Sequence, residues 1–245
     1  MSQTELAALL PYRRPLPDAR ARLLCFAFAG GAAVTYRTWN EVFAPSVEVC
    51  AIELPGHGQR FREPPISDIH ALIDRLAAAL APLLDRPIVC FGHSLGARVA
   101  YWLALREPRV IGLIASASPA AHLTVAKRRA DLSRPALIAE LHAMGGTSKE
   151  VLDTDDLMTM FLPAIRADFR LLEQGVAPAS SKLACPITVL AARDDLEVSF
   201  ERATAWSDRT DGEVRVVELQ GGHFFLQSRR DAVIAEVRAA IDRWV

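Results

Sequence analysis

The sequence predicts an α/β fold with a mostly parallel central sheet flanked by helices. Short apolar runs of strand length alternate with longer segments whose apolar residues recur every three or four positions. Glycine and proline turns separate the two kinds of segment, and such alternation is typical of βαβ units. The 245 residues are enough for one large core, so we expect a single domain over 1–245.

Four strands and two helices are predicted in the first half of the chain. The residues up to Arg20 are rich in proline and arginine, and we expect them to form an irregular lead-in. Helical periodicity is clear over 66–84, where Ser67 and Asp68 are the candidate N-caps, and a second helix is predicted over 95–106. The predicted strands are short continuous apolar runs, and they cover 23–29, 47–53, 87–92 and 110–115.

The alternation of strands and helices stops between about residues 120 and 182. This stretch has the pattern of several helices with no clear strand. An insertion between two strands of such a sheet is the position of a lid, so we expect a helical lid over about 120–182. The alternation then resumes with a strand at 186–192, a helix at 199–210, a strand at 214–219 and a helix at 229–244.

Composition argues against several classes of partner. The formal net charge is -1, so nothing draws the whole molecule to nucleic acid or to an anionic membrane. A local basic run at 127–129 is expected to be a solvated helix face. The first residues do not resemble a secretion signal, and no apolar run approaches the ~18 residues of a membrane span. A cytoplasmic protein is therefore expected.

The cysteines are expected to be small buried side chains. All four lie in apolar, strand-like settings, and none forms a Cys-x-x-Cys pair. No histidine falls at zinc-ligand spacing with them, so neither disulfides nor a metal site is expected. The four are Cys25, Cys50, Cys90 and Cys185.

The motif Gly-x-Ser-x-Gly occurs at residues 92–96, where an apolar predicted strand meets a predicted helix. The two glycines let strand and helix approach closely, while Ser94 occupies a turn with sparsely populated backbone angles. Its hydroxyl then stands above the sheet edge, where the first N–H groups of the helix face a developing anion. This context predicts the nucleophile elbow of an α/β-hydrolase, with Ser94 as the nucleophile.

A serine hydroxyl needs a base, and in α/β-hydrolases the chain order is serine, acid, histidine. Of the six histidines, His223 is the one that follows the last predicted strand, in a Gly-Gly-His-Phe-Phe turn. The acid should follow an earlier strand. Asp194 and Asp195 both come shortly after the strand at 186–192, and the spacing alone leaves both open.

An oxyanion requires two backbone N–H donors. In an α/β-hydrolase one donor belongs to the residue after the nucleophile, which is Leu95 in this chain. The other belongs to the loop after an early strand, and here that loop begins Ala-Phe-Ala-Gly-Gly. Ala29 is the candidate for the second donor.

Several blocks of the chain, from about residue 23 to 226, resemble type II thioesterases, the stand-alone enzymes associated with polyketide and nonribosomal peptide synthases. The elbow alone fits many hydrolases, so the resemblance depends most on the narrower RADFRLLE and GGHFFL blocks. The blocks are FAFAGG at 26–31 with YRTW at 36–39, ELPGHGQR at 53–60, FGHSLGARVAYWLA at 91–104, GGTSKEVL at 145–152, FLPAIRADFRLLE at 161–173, CPITVL at 185–190 and GGHFFL at 221–226.

The resemblance implies a catalytic triad of Ser94, Asp195 and His223. Family members usually carry Asp-x-x-Val after the equivalent strand, and residues 195–198 fit that frame whereas Asp194 does not. No cofactor and no metal are implied.

The resemblance further implies hydrolysis of acyl groups from the 4′-phosphopantetheine arm of acyl or peptidyl carrier proteins, which would be the partners. The lid would then shape an apolar acyl chamber. Candidates for its lining are Met144, Met158, Met160 and Phe161, although packing in the core explains each of them equally well.

Two other activities use a similar elbow. Malonyl-type acyltransferases usually carry a Gly-Gln-Gly-Ser-Gln block near the N-terminus, which this chain lacks. The order serine, aspartate, histidine favours a hydrolase over such a transferase. A general carboxylesterase is the second alternative.

Overall fold

Six parallel strands form one sheet at the centre of the protein. The computed structural model describes residues 3–245. The strand order is β2-β1-β3-β4-β5-β6, and every neighbouring pair is parallel. The strands are Ala21–Phe26 (β1), Val47–Ala51 (β2), Ile88–His93 (β3), Val110–Ser116 (β4), Ile187–Ala192 (β5) and Val214–Leu219 (β6).

Helices cover both faces of this sheet and separate its apolar side chains into two cores. Leu24 and Phe26 of β1 point to one core, and Leu23 and Cys25 point to the other, because successive side chains of a strand alternate. Burial on both faces explains why the inner strands are continuous apolar runs. The edge strand β6 is partly exposed along its length.

Ten α-helices are described in residues 3–245. α3, α4 and α7 pack on one face of the sheet, and α2 and α10 pack on the other. The helices are Gln3–Leu9 (α1), Trp39–Phe43 (α2), Ile69–Leu80 (α3), Leu95–Arg106 (α4), Arg134–Met144 (α5), Lys149–Leu152 (α6), Asp155–Gln174 (α7), Phe200–Thr204 (α8), Phe225–Ser228 (α9) and Arg230–Trp244 (α10). Short 3₁₀ helices occupy Ala33–Tyr36, Gly58–Arg60, Ala81–Leu83 and Ala205–Arg209.

The predicted mostly parallel sheet and its flanking helices are confirmed. α4 and β6 have the predicted bounds, and each of the other strands differs from its prediction by one to three residues at one or both ends. The helix predicted over 66–84 is shorter at both ends: it begins at Ile69, and a 3₁₀ turn follows it at Ala81–Leu83. The helix predicted over 199–210 divides at Ala205 in the same way, into α8 and a 3₁₀ helix.

The prediction of an irregular lead-in through Arg20 is wrong for residues 3–9, whereas residues 10–20 are irregular as predicted. Residues 3–9 form α1, and its last residue Leu9 is buried together with Leu10 against α3. The segment is also held by polar contacts, since Glu53 donates its N–H to the Leu9 carbonyl at 2.8 Å. The prolines and arginines lie at 11–20, outside α1, so the prediction was extended wrongly to a packed helix that adds to the core.

The segment between β4 and β5 contains α5, α6 and α7 and no strand. The basic run at 127–129 lies in the loop before α5, so the prediction of a solvated helix face is wrong. Arg129 is buried, and its guanidinium donates to Glu140 at 3.0 Å and to Glu197 at 2.9 Å. This arginine ties the segment to the turn after β5.

The four cysteines are free thiols; Cys25, Cys50 and Cys90 are buried, and Cys185 is partly buried. Across residues 3–245, no helix combines the length and apolarity needed to cross a bilayer.

Asp68 is the N-cap of α3, since its side chain accepts the Ala71 N–H at 2.8 Å. We expect Asp68→Ala to lower the free energy of unfolding by about 1 kcal/mol, because one helix N–H loses its partner. Ser67→Ala is the matched control and should change it by less than about 0.5 kcal/mol. Urea unfolding followed by circular dichroism measures both, and equal losses would contradict the assignment of the cap.

Candidate active site

Ser94 occupies a sharp turn between β3 and α4. Its backbone has φ 55° and ψ -115°, a strained conformation for a residue with a side chain. The turn can be this tight because both flanking residues are glycines, and a side chain at either position would clash. A Cβ on Gly92 would lie 2.1 Å from the Gly96 backbone, and one on Gly96 would lie 2.1 Å from the Phe26 carbonyl oxygen. The Ser94 N–H donates to the Ser116 carbonyl at 2.8 Å, which ties the turn to β4.

Ser94, His223 and Asp195 are joined by hydrogen bonds. His223 Nε2 lies 3.0 Å from Ser94 Oγ, and His223 Nδ1 lies 2.9 Å from Asp195 Oδ2. A carboxylate can only accept here, so Nδ1 carries the proton and Nε2 presents its lone pair to the serine hydroxyl. The structure thus brings together the three side chains that the sequence singled out.

Of the two competing aspartates, only Asp195 reaches His223. Its Oδ1 accepts the N–H groups of Glu197 at 2.8 Å and Val198 at 3.0 Å. This turn fixes the carboxylate and leaves Oδ2 for the imidazole. Asp194 is exposed to solvent.

His93 supports the loop that carries His223, and sequence reasoning missed this role. Its Nε2 donates to the His223 carbonyl at 2.9 Å, and its Nδ1 accepts from the Ser116 hydroxyl at 2.9 Å. Complete burial, followed by the nearby charge that His223 would carry, lowers the pKa of His93 to about 3. His93 is therefore a neutral imidazole that holds the His223 loop by a hydrogen bond. Nothing in the local pattern around His93 indicated a contact with a residue 130 positions away.

The two predicted oxyanion residues belong to the turn of Ser94 and to the loop after β1. Leu95 is the first residue of α4 and directly follows Ser94. Ala29 lies on the loop after β1 and lines the same cavity as Ser94. The loop is folded into a turn in which the Gly31 N–H donates to the Phe28 carbonyl at 2.8 Å.

Ser94 and His223 open onto a cavity at the edge of the sheet. Its lining combines apolar side chains with charged side chains from the 127–129 loop, α7 and the turn after β5. The lining residues are Phe28, Ala29, Ser94, Pro119, Val125, Ala126, Lys127, Arg129, Met144, Phe169, Leu172, Glu173, Glu197, Val198, Arg202, His223 and Phe224.

A second cavity is lined by Phe28, by the loop after β1 and by part of α7. Met158 and Phe161 line this second cavity, whereas Met144 lines the first. Met160 is 49% exposed and lines neither. The four candidate chamber residues therefore do not share one wall.

Comparisons with known proteins agree on one family. The family model described as a thioesterase domain matches residues 21–241. A probable cadicidin biosynthesis thioesterase of Streptomyces griseus is 38% identical over 233 residues, which is 93% of this chain and 64% of that protein. This chain thus spans somewhat less than two thirds of that relative.

Two solved structures cover nearly the whole length of both chains. The type II thioesterase BorB from the borrelidin biosynthetic cluster is 36% identical with a TM-score of 0.84, over 94% of this chain and 95% of its own. The RedJ thioesterase of the prodiginine pathway in Streptomyces coelicolor is 33% identical with a TM-score of 0.83, over 96% and 98%. The protein therefore belongs to the thioesterase family, among the type II thioesterases with the α/β-hydrolase fold.

Proposed function

We propose that this protein hydrolyses acyl thioesters on the 4′-phosphopantetheine arm of acyl or peptidyl carrier proteins, as an editing enzyme of polyketide or nonribosomal peptide synthesis. The observation that carries the proposal is the continuous hydrogen-bonded chain from Ser94 Oγ through His223 to Asp195, open to a cavity. The relatives named for cadicidin, borrelidin and prodiginine biosynthesis support the class of pathway. Neither nucleic acid nor a membrane takes part, and the site of action is the cytoplasm.

The first half-reaction forms an acyl-enzyme. Ser94 Oγ attacks the thioester carbonyl carbon while His223 Nε2 removes the hydroxyl proton. Asp195 stabilises the resulting imidazolium. The oxyanion accepts from the N–H groups of Leu95 and Ala29. Collapse of the tetrahedral intermediate breaks the carbon–sulfur bond, and the pantetheine thiol leaves with the proton from His223.

The second half-reaction releases the acid. A water molecule gives one proton to His223 Nε2 and attacks the acyl carbon of the ester on Ser94. The same two N–H groups hold the second oxyanion. When the ester bond breaks, His223 returns the proton to Ser94 Oγ, so the enzyme is regenerated and a carboxylic acid leaves.

The whole chain acts as one domain in this proposal, and the segment of about 120–182 serves as its lid. Phe169 and Leu172 of α7 give the cavity beside Ser94 an apolar wall. An acyl chain that enters there loses contact with water, which favours binding of apolar acyl groups.

Substitutions of the triad test the mechanism. We expect Ser94→Ala and His223→Ala to abolish the burst of acyl-enzyme formation in stopped-flow measurements. Asp195→Asn should lower kcat by about 10³–10⁴, because the imidazole loses its tautomer and its counter-charge. Asp194→Asn is the matched control and should stay within about twofold of the wild type. A larger loss in Asp194→Asn than in Asp195→Asn would show that the wrong carboxylate has been assigned.

Substrate choice tests the thioester assignment. The same acyl group should be supplied on a phosphopantetheinylated carrier protein and as an oxygen ester of a small alcohol. We expect kcat/KM for the carrier thioester to exceed that for the ester by at least about tenfold, since only the carrier substrate adds binding energy remote from the carbonyl. Equal or faster turnover of the oxygen ester would indicate a general carboxylesterase.

Formation of a new acyl ester or thioester when an alcohol or a second thiol is added, in preference to free acid, would indicate an acyltransferase. Mass spectrometry of the products separates the two outcomes.

A further inference from the structure

One oxygen of Asp168 joins three separate parts of the fold. Asp168 Oδ2 accepts the Gly30 N–H at 2.7 Å and lies 2.9 Å from His57 Nε2. Asp168 belongs to α7, Gly30 to the loop after β1, and His57 to the loop after β2. The side chains of Asp168 and His57 are only 3% and 6% exposed, so water cannot replace these bonds readily.

His57 is held in the charged form. Its Nδ1 faces the Pro55 carbonyl oxygen at 3.1 Å and its Nε2 faces the carboxylate, so both ring nitrogens meet acceptors. Only an imidazolium donates at both positions. Burial lowers the pKa of His57, but the charge and hydrogen bond of Asp168, the Pro55 hydrogen bond and the charge of Glu53 outweigh it and raise the pKa to about 9.

Gly30 is the residue after Ala29, and its position is determined from two sides. Within the loop, Gly30 has φ +75°, and the next residue closes the turn onto Phe28. From outside, α7 lies directly against it, because a Cβ on Gly30 would be 3.3 Å from Ile165 Cγ1. The bond to Asp168 therefore fixes the Ala29–Gly30 peptide plane relative to α7. The Ala29 N–H lies in the adjoining Phe28–Ala29 plane, whose carbonyl oxygen accepts the Gly31 N–H, so both planes around Ala29 are held.

We propose that Asp168, paired with the His57 cation, is a positioning residue for the oxyanion hole: it anchors the Gly30 N–H and so holds the Ala29 N–H toward Ser94. The inference rests on the proposed hydrolysis at Ser94. It also means that the geometry of the oxyanion hole depends on the position of α7, the longest helix of the segment between β4 and β5.

The anchoring acts on the transition state and not on substrate binding. An oxyanion exists only during the tetrahedral steps, so a misplaced Ala29 N–H should lower kcat and leave KM nearly unchanged. Loss of one oxyanion donor costs about 10²–10³ in kcat, and misplacing a donor without removing it should cost less, about 10–100-fold.

Asp168→Ala and Asp168→Asn test the anchor, with Asp156→Asn as the matched control on an exposed position of the same helix. We expect kcat to fall about 10–100-fold in Asp168→Ala with KM within about threefold, and to fall less in Asp168→Asn, whose amide oxygen can still accept from Gly30. Asp156→Asn should match the wild type.

Two inhibitors separate positioning from general damage. An alkylboronic acid forms a tetrahedral anion on Ser94, whereas a thioether analogue of the acyl-pantetheine binds without an oxyanion. In Asp168→Ala we expect the boronic acid to bind about 10–100-fold more weakly and the thioether to bind within about twofold of the wild type. Equal weakening of both, or an unchanged kcat, would overturn the proposal.

The charge of His57 gives a test by pH. Because its pKa is raised to about 9, His57 is an imidazolium at neutral pH and loses its charge as the pH rises through about 9. The neutral ring keeps one N–H, so the charge that strengthens the hydrogen bond to Asp168 is lost and one of the two acceptors loses its donor. We expect kcat of the wild type, corrected for uncatalysed hydrolysis, to decline through that range. His57→Gln keeps a donor for Asp168 but has no titrating charge, so its kcat should start lower and show no such decline. A decline of the same size near pH 9 in His57→Gln would contradict the role of this pair.

The outcomes also separate this inference from the function itself. If Ser94→Ala keeps thioester hydrolysis, the proposed function fails and the anchor with it. If Ser94→Ala is inactive while both Asp168 variants and His57→Gln retain wild-type kcat, only the inference fails. Thermal unfolding shows which variants are folded, and Asp168→Asn, the smallest change, decides the question if Asp168→Ala does not fold.

Discussion

The close approach of β3 and α4 at Ser94 is the constraint on which the rest of the site depends. The turn requires a positive φ at a residue with a side chain, and such a conformation persists only where the surroundings determine it. Here β3 is buried on both faces and bonded to two parallel neighbours, and α4 packs across it. The core therefore compensates for the strain, and the serine hydroxyl is held in the open at the sheet edge.

Asp195 and His223 lie at the same edge as Ser94, because they follow β5 and β6 and the carboxyl ends of parallel strands lie together. Each loop there is then held by its own contacts. His93 is a neutral buried imidazole that supports the loop of His223, with its pKa lowered to about 3. His57 is a charged buried imidazole beside Asp168, with its pKa raised to about 9. Burial opposes the charge in both, and the difference comes from the partner, a hydroxyl in one case and a carboxylate in the other.

The segment between β4 and β5 takes part in the site through a cation, Arg129, as well as through the carboxylate of Asp168. Arg129 pairs with Glu140 of α5 and with Glu197, and its guanidinium lies over the Phe169 ring at 5.8 Å. These bonds shape the wall of the cavity beside Ser94. Phe169 and Asp168 both belong to α7, so the wall of this cavity and the loop after β1 both depend on the position of that helix.

Local pattern was enough to predict the parallel sheet, the elbow at Ser94 and the place of His223 in the chain, because strand and helix periods and glycine turns depend on neighbouring residues. Asp194 and Asp195 have the same local surroundings, and only the turn that binds Asp195 Oδ1 separates them. The packing of α1 against α3 and the bond between His57 and Asp168, which are 111 residues apart, depend on contacts that no local pattern indicates. The sequence by itself determined which catalytic side chains lie at the sheet edge. The tertiary structure decided which residues position them, because contacts between distant segments form only when the loops come together.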